Sequence, residues 1–157
     1  MSNASKSYGR LKDKVWNNKD LTLKTKCAVY KAIVLSSLLY GAEAWTVYKI
    51  TAHRLNAYMM RHLRQILSIK WWQHVSNSTV LKRTRMPSMY DILIERNLRW
   101  TGHINRMEND RLPKLILYSQ LKDGFRRIGQ PRLRFKGTVK RNLKDKRDLD
   151  RKLAKVI

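Results

Sequence analysis

Between residues 122 and 141 the side chains best suited to chemistry are cationic. Lys122, Arg126, Arg127, Arg132, Arg134, Lys136, Lys140 and Arg141 are punctuated there by Gly124, Gly129 and Pro131. A glycine beside an arginine lets the backbone come close to a phosphate, and each guanidinium can take a phosphate through two parallel hydrogen bonds. The chemistry such a cluster performs is capture of a polyanion, not bond-making. A solvated basic tail is the competing reading of the same residues. Upstream, Arg99 and Arg106 share one flank of a helix and extend the cationic set.

Bond-making finds no comparable footing. A two-metal polymerase site needs aspartates held in a pair, and the chain has no Asp-Asp. Glu43, Glu95 and Glu108 lie far apart, while Asp145, Asp148 and Asp150 sit among lysines and arginines that would pair with them. His53, His62, His74 and His103 lack metal-ligand spacing. Neither a Gly-rich phosphate loop ending in Lys-Ser/Thr nor a Gly-x-Ser-x-Gly elbow occurs. Cys27 is the only cysteine, so no disulfide forms within the chain and no Cys-x-x-Cys zinc site exists. No catalytic residue, metal ligand or cofactor is expected of the isolated chain, and its cysteine usage suggests an intracellular setting, nuclear or cytoplasmic.

Composition agrees with a polyanion as partner. The 157 residues carry 35 Lys+Arg against 11 Asp+Glu, a formal charge of +24 and a pI near 10.7. Such self-repulsion is costly unless a counter-charge screens it, and RNA or DNA is the expected counter-charge. Hydrophobic residues at 43% are enough for a real core. No membrane is expected: no apolar run approaches the ~18 residues of a span, and no helix segregates its faces as a surface-bound one does.

Helices must carry these groups. The spacing predicts an all-α, irregular bundle of five or six helices, near 22–40, 47–68, 77–85, 88–107 and 113–121, with a basic loop leading to a helix at 136–154. Residues 1–20 read as a polar lead-in with a helical turn or two, 21–121 as the helical domain and 122–157 as the basic loop and helix. Apolar residues are so dense over 22–40 that most of that helix is expected to be covered, and Trp16, Tyr30, Tyr40 and Trp45 are expected in its core. Thr22 or Thr25 caps it, and Gly41 stands where a left-handed residue ends it. The next helix buries Leu55, Tyr58, Met59, Leu63 and Ile66. Its charged face, with His53, Arg54, Arg61 and Arg64, reads equally as solvated or as phosphate-contacting. His62 falls on the apolar side and reads as a hydrogen-bonded core histidine. Trp71 and Trp72 read as core filling, with base stacking the other possibility.

Helix 88–107 opens on a capping box, Ser88 with Asp91, and buries Met89, Ile92, Leu93, Trp100, Ile104 and Met107 on one stripe. Arg96 lies inside that stripe, which implies either cover on two sides or an arginine reaching a partner. Pro113 is placed to open the next helix. In the last helix Phe135, Val139, Leu143, Leu149 and Leu153 form the apolar stripe, and Gly137 weakens it by about 1 kcal/mol relative to alanine.

Several strings along the chain carry a resemblance when taken in order. They are RLKDKVWNN from Arg10, TKCAVYKAIV from Thr25, LLYGAEAWT from Leu38, RHLRQILSIKWWQHVSN from Arg61, RNLRWTGHINRMENDRLPK from Arg96 and GFRRIGQPRLRFKGTVK from Gly124. Together they resemble the region downstream of the polymerase palm in endonuclease/reverse transcriptase proteins of non-LTR retrotransposons of the jockey and RTE kind. The resemblance implies a thumb-like helical segment and its continuation. In an intact element this region would hold template RNA, primer or target DNA against an RNA-directed DNA polymerase. The chain departs from the pattern at Ser36, where relatives often have proline, and at His74 and Gly137, where aspartate is expected. It also looks truncated at both ends. The expected function is non-catalytic nucleic-acid binding through phosphates by Arg99, Arg106, Arg126, Arg127, Arg132, Arg134, Lys136, Lys140 and Arg141. The alternatives are an accessory part of a longer polymerase and an exapted helical scaffold. The missing polymerase core, or a second copy meeting an exposed apolar face, is a further expected partner.

Overall fold

The computed structural model describes residues 2–119 and 134–154. Every regular element among them is helical: α1 (Ser2–Arg10), α2 (Leu23–Val29), α3 (Ser36–Leu38), α4 (Lys49–Ile66), α5 (Asn77–Thr84), α6 (Met89–Arg106), α7 (Leu112–Tyr118) and α8 (Phe135–Ala154). The chain is all-α, as its periodicity requires, with eight helices among the described residues where five or six are expected. The surplus has two sources. One is α1, whose polar sequence hides two inward residues, Ala4 and Tyr8. The other is a wide π-helical stretch, Tyr30–Leu35, that divides α2 from α3 within one continuous helical run over 23–38.

That π stretch frees carbonyls from the regular ladder, and the serines just after it take them. Ser36 Oγ donates to the carbonyls of Ala32 and Ile33, and Ser37 Oγ donates to Ile33 at 2.8 Å. The run is not covered all round. It buries Cys27, Tyr30, Val34, Leu35, Leu38 and Leu39. The opposite row of Ala28, Ala32, Ser36 and Tyr40 stays open, with Tyr40 87% exposed. Alanine and serine on that row offer too little apolar area to build a second interface.

The residues fall into two compact units, Met1–Gly41 with Ile50–Asp91, and Ala42–Lys49 with Ile92–Ile157. In the first, Tyr30, Leu39, Met59, Leu63, Val34, Val80 and Met89 are the largest fully buried side chains. Around them Tyr8 stacks on Trp16 at 5.0 Å and on His62 at 3.9 Å, and Trp16 Nε1 donates to the Tyr8 carbonyl at 2.8 Å. The caps predicted at Thr22 and Ser88 are present, and Ser76 supplies a third. Thr22 Oγ1 accepts from the Thr25 N–H, Ser76 Oγ accepts from Thr79, and Ser88 and Asp91 exchange side-chain-to-backbone bonds across the first turn of α6. Gly41 closes its segment at φ +67°, a conformation that favours glycine.

The second unit buries Ala42, Ile92, Leu93, Ile104 and Val139 around a polar pair rather than a purely apolar seam. Asn142 Nδ2 on α8 donates to Asn97 Oδ1 on α6 at 3.1 Å, and Asn97 Nδ2 donates to the Glu43 carbonyl at 3.3 Å. Arg96 does not leave the fold: its Nη1 meets Glu43 Oε1 at 3.0 Å. Trp45 belongs to this second unit and is half-buried, not part of the first core.

Candidate nucleic-acid interface

Helix α8 presents its cations through the side it buries. Thr138, Val139 and Asn142 face inward, and Asn142 is fixed to Asn97. At 3.6 residues per turn this sends Lys136, Lys140 and Lys144 outward in one row, with Arg141 on the adjoining row. All four are exposed. The apolar stripe read from sequence is therefore turned. Val139 is buried and Phe135 half-buried, but Leu143 is 42% exposed, because the polar Asn142 rather than Leu143 reaches the partner helix. Lys144 joins the row that sequence reading limited to Lys136, Lys140 and Arg141. Arg134, just ahead of the helix, is exposed, and its carbonyl accepts from both the backbone N–H and Oγ1 of Thr138.

Lys136 is the most constrained member. Its Nζ lies 5.6 Å from the ring centroid of Tyr118, whose hydroxyl donates to Asn105 Oδ1 at 2.7 Å. Lys114 is used structurally: its ammonium caps α6 by donating to the carbonyls of Asn105 and Met107 at 3.2 and 2.7 Å.

The other sequence-derived candidates lie elsewhere. Arg99 and Arg106 sit on α6 roughly half a turn away from Asn97, the residue that meets α8, so they do not line up with the α8 row. Arg99 Nη2 pairs with Glu95 Oε1 at 2.6 Å, though its side chain remains 75% exposed. Arg106 folds back so that a Cβ on Gly102 would stand 3.5 Å from its Nη1. Arg126, Arg127 and Arg132, with the basic loop around them, lie outside the described residues.

The first unit contributes a basic surface of its own. Arg54 and Arg61 are exposed on α4, opposite the buried face of Leu55, Met59, Leu63 and Ile66. Trp71 and Trp72, expected as core filling, are exposed on a short 3₁₀ turn, Trp71–Gln73. Ile66 and Val80, on the helices either side, are buried, while the turn between them stays outside.

Titratable groups within the first unit are structural. His62 accepts or shares a hydrogen bond with the Tyr30 hydroxyl at 3.4 Å, and burial, aided by the Arg61 charge, pushes its pKa down to about 4. Burial, reinforced by Tyr58, pushes the Tyr8 phenol up to about 12 and raises that of Tyr30. Burial also raises the Cys27 thiol, which suits an inert core cysteine. Among the described residues no group of three or more His, Cys, Asp or Glu converges as a metal would require. No helix among them is long and apolar enough to cross a membrane.

Comparison with known proteins gives one relationship to set beside this geometry. A Caenorhabditis elegans protein described as an uncharacterized transposon-derived protein is 26% identical over 126 residues, covering 76% of this chain. The chain is similar to a transposon-derived protein. It spans 44% of that relative's length. No family model matches the chain, and no solved structure does.

Sequence reading places Lys144 beside the last helix's apolar stripe but leaves it out of the binding set, and it misses the openness of the tryptophan pair. The first was recoverable: it stands four residues past Lys140, on the same helical row. The second was not, because which side of a single turn meets solvent depends on the helices around it.

Proposed function

We propose that this chain is the segment following the polymerase palm in a non-LTR retrotransposon reverse transcriptase, and that it holds nucleic acid, template RNA or target DNA, mainly by its phosphates. It performs no bond-making itself. The observation that carries this reading is the α8 row of Lys136, Lys140 and Lys144 with Arg141, held outward by the Asn142–Asn97 hydrogen bond. Arg126, Arg127, Arg132 and Arg134 extend the same cationic segment, and Arg99 and Arg106 offer separate phosphate contacts from α6. The formal charge of +24, the ordered set of motifs and the transposon-derived relative support it.

Salt titration tests it. If ~6–10 phosphates are neutralised, affinity for a duplex or single strand falls ~10³–10⁵-fold between ~50 and ~200 mM salt. Changing Lys136, Lys140, Arg141 and Lys144 to Gln together should weaken binding to all sequences alike and flatten the salt slope by about one for each phosphate no longer neutralised. An unaltered slope and affinity in that variant would rule the row out.

A second reading has its own support: the chain spans under half of its relative's length, which suits an accessory part of RNA-directed DNA polymerase activity in a longer product. It predicts that the coding region extends upstream into a palm with paired aspartates. The scaffold reading rests on the exposed Leu112, Leu115 and Ile116 of α7. It predicts protein partners that survive nuclease treatment.

A further inference from the structure

Tryptophan has more apolar area to hide than any other side chain, and two adjacent ones stand in the open in the first unit. Trp71 is 82% exposed and Trp72 58%, with ring centroids 5.9 Å apart and planes at 85°. The turn that carries them is braced. The Lys70 N–H donates to Gln73 Oε1 at 3.0 Å, and the His74 N–H donates to the Trp71 carbonyl at 3.4 Å from a left-handed residue at φ 46°. Just beyond, Arg64 Nη2 on α4 donates to the Val75 carbonyl at 3.0 Å and to Asn77 Oδ1 at 2.7 Å. Two indoles are thus held outward by a fixed frame, which lowers the ordering cost of anything that stacks on them.

The stretch of chain that carries the pair has charge of one sign. From Ala44 to Tyr90 the sequence has no Asp or Glu. Arg54 and Arg61 stand two helical turns apart on the open face of α4, and Arg61 neighbours Arg64, whose guanidinium reaches the loop beyond the tryptophans. Lys70, also exposed, immediately precedes them. Cations that track a backbone, leading to rings that accept bases, are the two parts of a single-strand site. A protein partner is poorly served here. Two indoles cover roughly 300–500 Å² even when fully capped, against about 800 Å² per side in a stable protein interface.

We propose that the Trp71–Trp72 turn is a stacking platform for unpaired bases, with Arg54, Arg61 and Lys70 holding the flanking phosphates. Rings at near right angles cannot sit in one continuous base stack, so the platform takes splayed bases of a single strand. A duplex, whose bases are already stacked on one another, gains nothing from it. The platform shares no residue with α8 and goes beyond the phosphate-binding reading given above.

The full chain is titrated with an oligo(dT), an oligo(U) and a duplex of the same length. Trp71→Ala and Trp72→Ala should each weaken single-strand binding ~5–150-fold, leave duplex binding unchanged, and be largely rescued by Phe. Loss on either oligonucleotide supports the platform and shows which sugar it accepts. Equal losses on duplex and single strand, or none on either single strand, overturn it. So does tryptophan emission that shifts with protein concentration rather than with oligonucleotide, which assigns the pair to a contact between copies. If the glutamine variant of α8 keeps its duplex affinity while the tryptophan dependence holds, the phosphate reading of α8 fails and the platform stands. The converse fails the platform alone.

Discussion

At the scale of single residues, His62 shows how a burial decision turns into a pH response. The residue is 7% exposed, its ring stacked on Tyr8 and bonded to Tyr30, with Tyr58 edge-on at 4.3 Å and Arg61 beside it in sequence. The fold keeps the imidazole neutral, its pKa pushed from 6.5 to about 4. Above pH 6.5 neither folded nor unfolded chain takes up this proton, and the contribution to stability is complete. As pH falls from there toward 4, the unfolded chain binds a proton that the folded chain refuses, so stability drops. A shift of that size corresponds to at most ~3 kcal/mol. Urea midpoints from pH 7 to pH 4.5 should therefore fall more steeply for the wild-type chain than for His62→Gln, which cannot titrate. Parallel pH profiles for the two would show that His62 is not held neutral.

At the scale of elements, α8 is a helix chosen for its surface. Four of its outward positions are cationic, and like charges in neighbouring rows repel, so its stability leans on Val139, Thr138 and the Asn142–Asn97 bond. Gly137 adds to the cost, because a glycine inside a helix loses more backbone freedom on folding than alanine does. No atom lies within 4 Å of a Cβ built there, and its backbone is not left-handed. Gly137→Ala should stabilise the second unit by ~0.5–1 kcal/mol, read as a higher melting temperature, and should not weaken nucleic-acid binding, since no cation moves. A destabilised variant would mean that the helix needs the gap. The π stretch at Tyr30–Leu35 is an element-scale feature of another kind. No proline forces it, and Ser36 and Ser37 satisfy the carbonyls it leaves open.

At the scale of the whole molecule, two forces compete. The net charge of +24 keeps copies apart, while Leu112 and Ile116, each 71% exposed on α7, with Leu115 at 49%, give them a reason to meet. Screening shortens the reach of the repulsion from about 30 Å at 0.01 M salt to ~10 Å at 0.1 M. Self-association at tens of micromolar should therefore grow with added salt, the reverse of nucleic-acid binding, and should be suppressed by Ile116→Lys. Sedimentation velocity reads this directly. A monodisperse monomer at every salt concentration would leave the α7 patch without a role between copies.

Much of the fold is legible in local spacing. Helical periodicity, the Thr22, Ser76 and Ser88 caps, Gly41 as a terminator, the core face of α4 and the buried His62 all come from nearby residues and their hydrogen-bonding capacity. The sequence by itself therefore determined most of the helices, many of their ends and the basic character of the surface, though not α1 as a full helix or the π stretch. Tertiary structure alone decided which faces meet. Arg96 finds Glu43 across 53 residues of chain, and Asn142 rather than Leu143 turns inward to reach Asn97 across 45. Trp71 and Trp72 stay outside, while Ile66 and Val80 on the helices either side are buried. Periodicity fixes the side chains relative to their own helix axis, but the rotation of that axis against its neighbours is set by partners distant in sequence, and no local pattern encodes it.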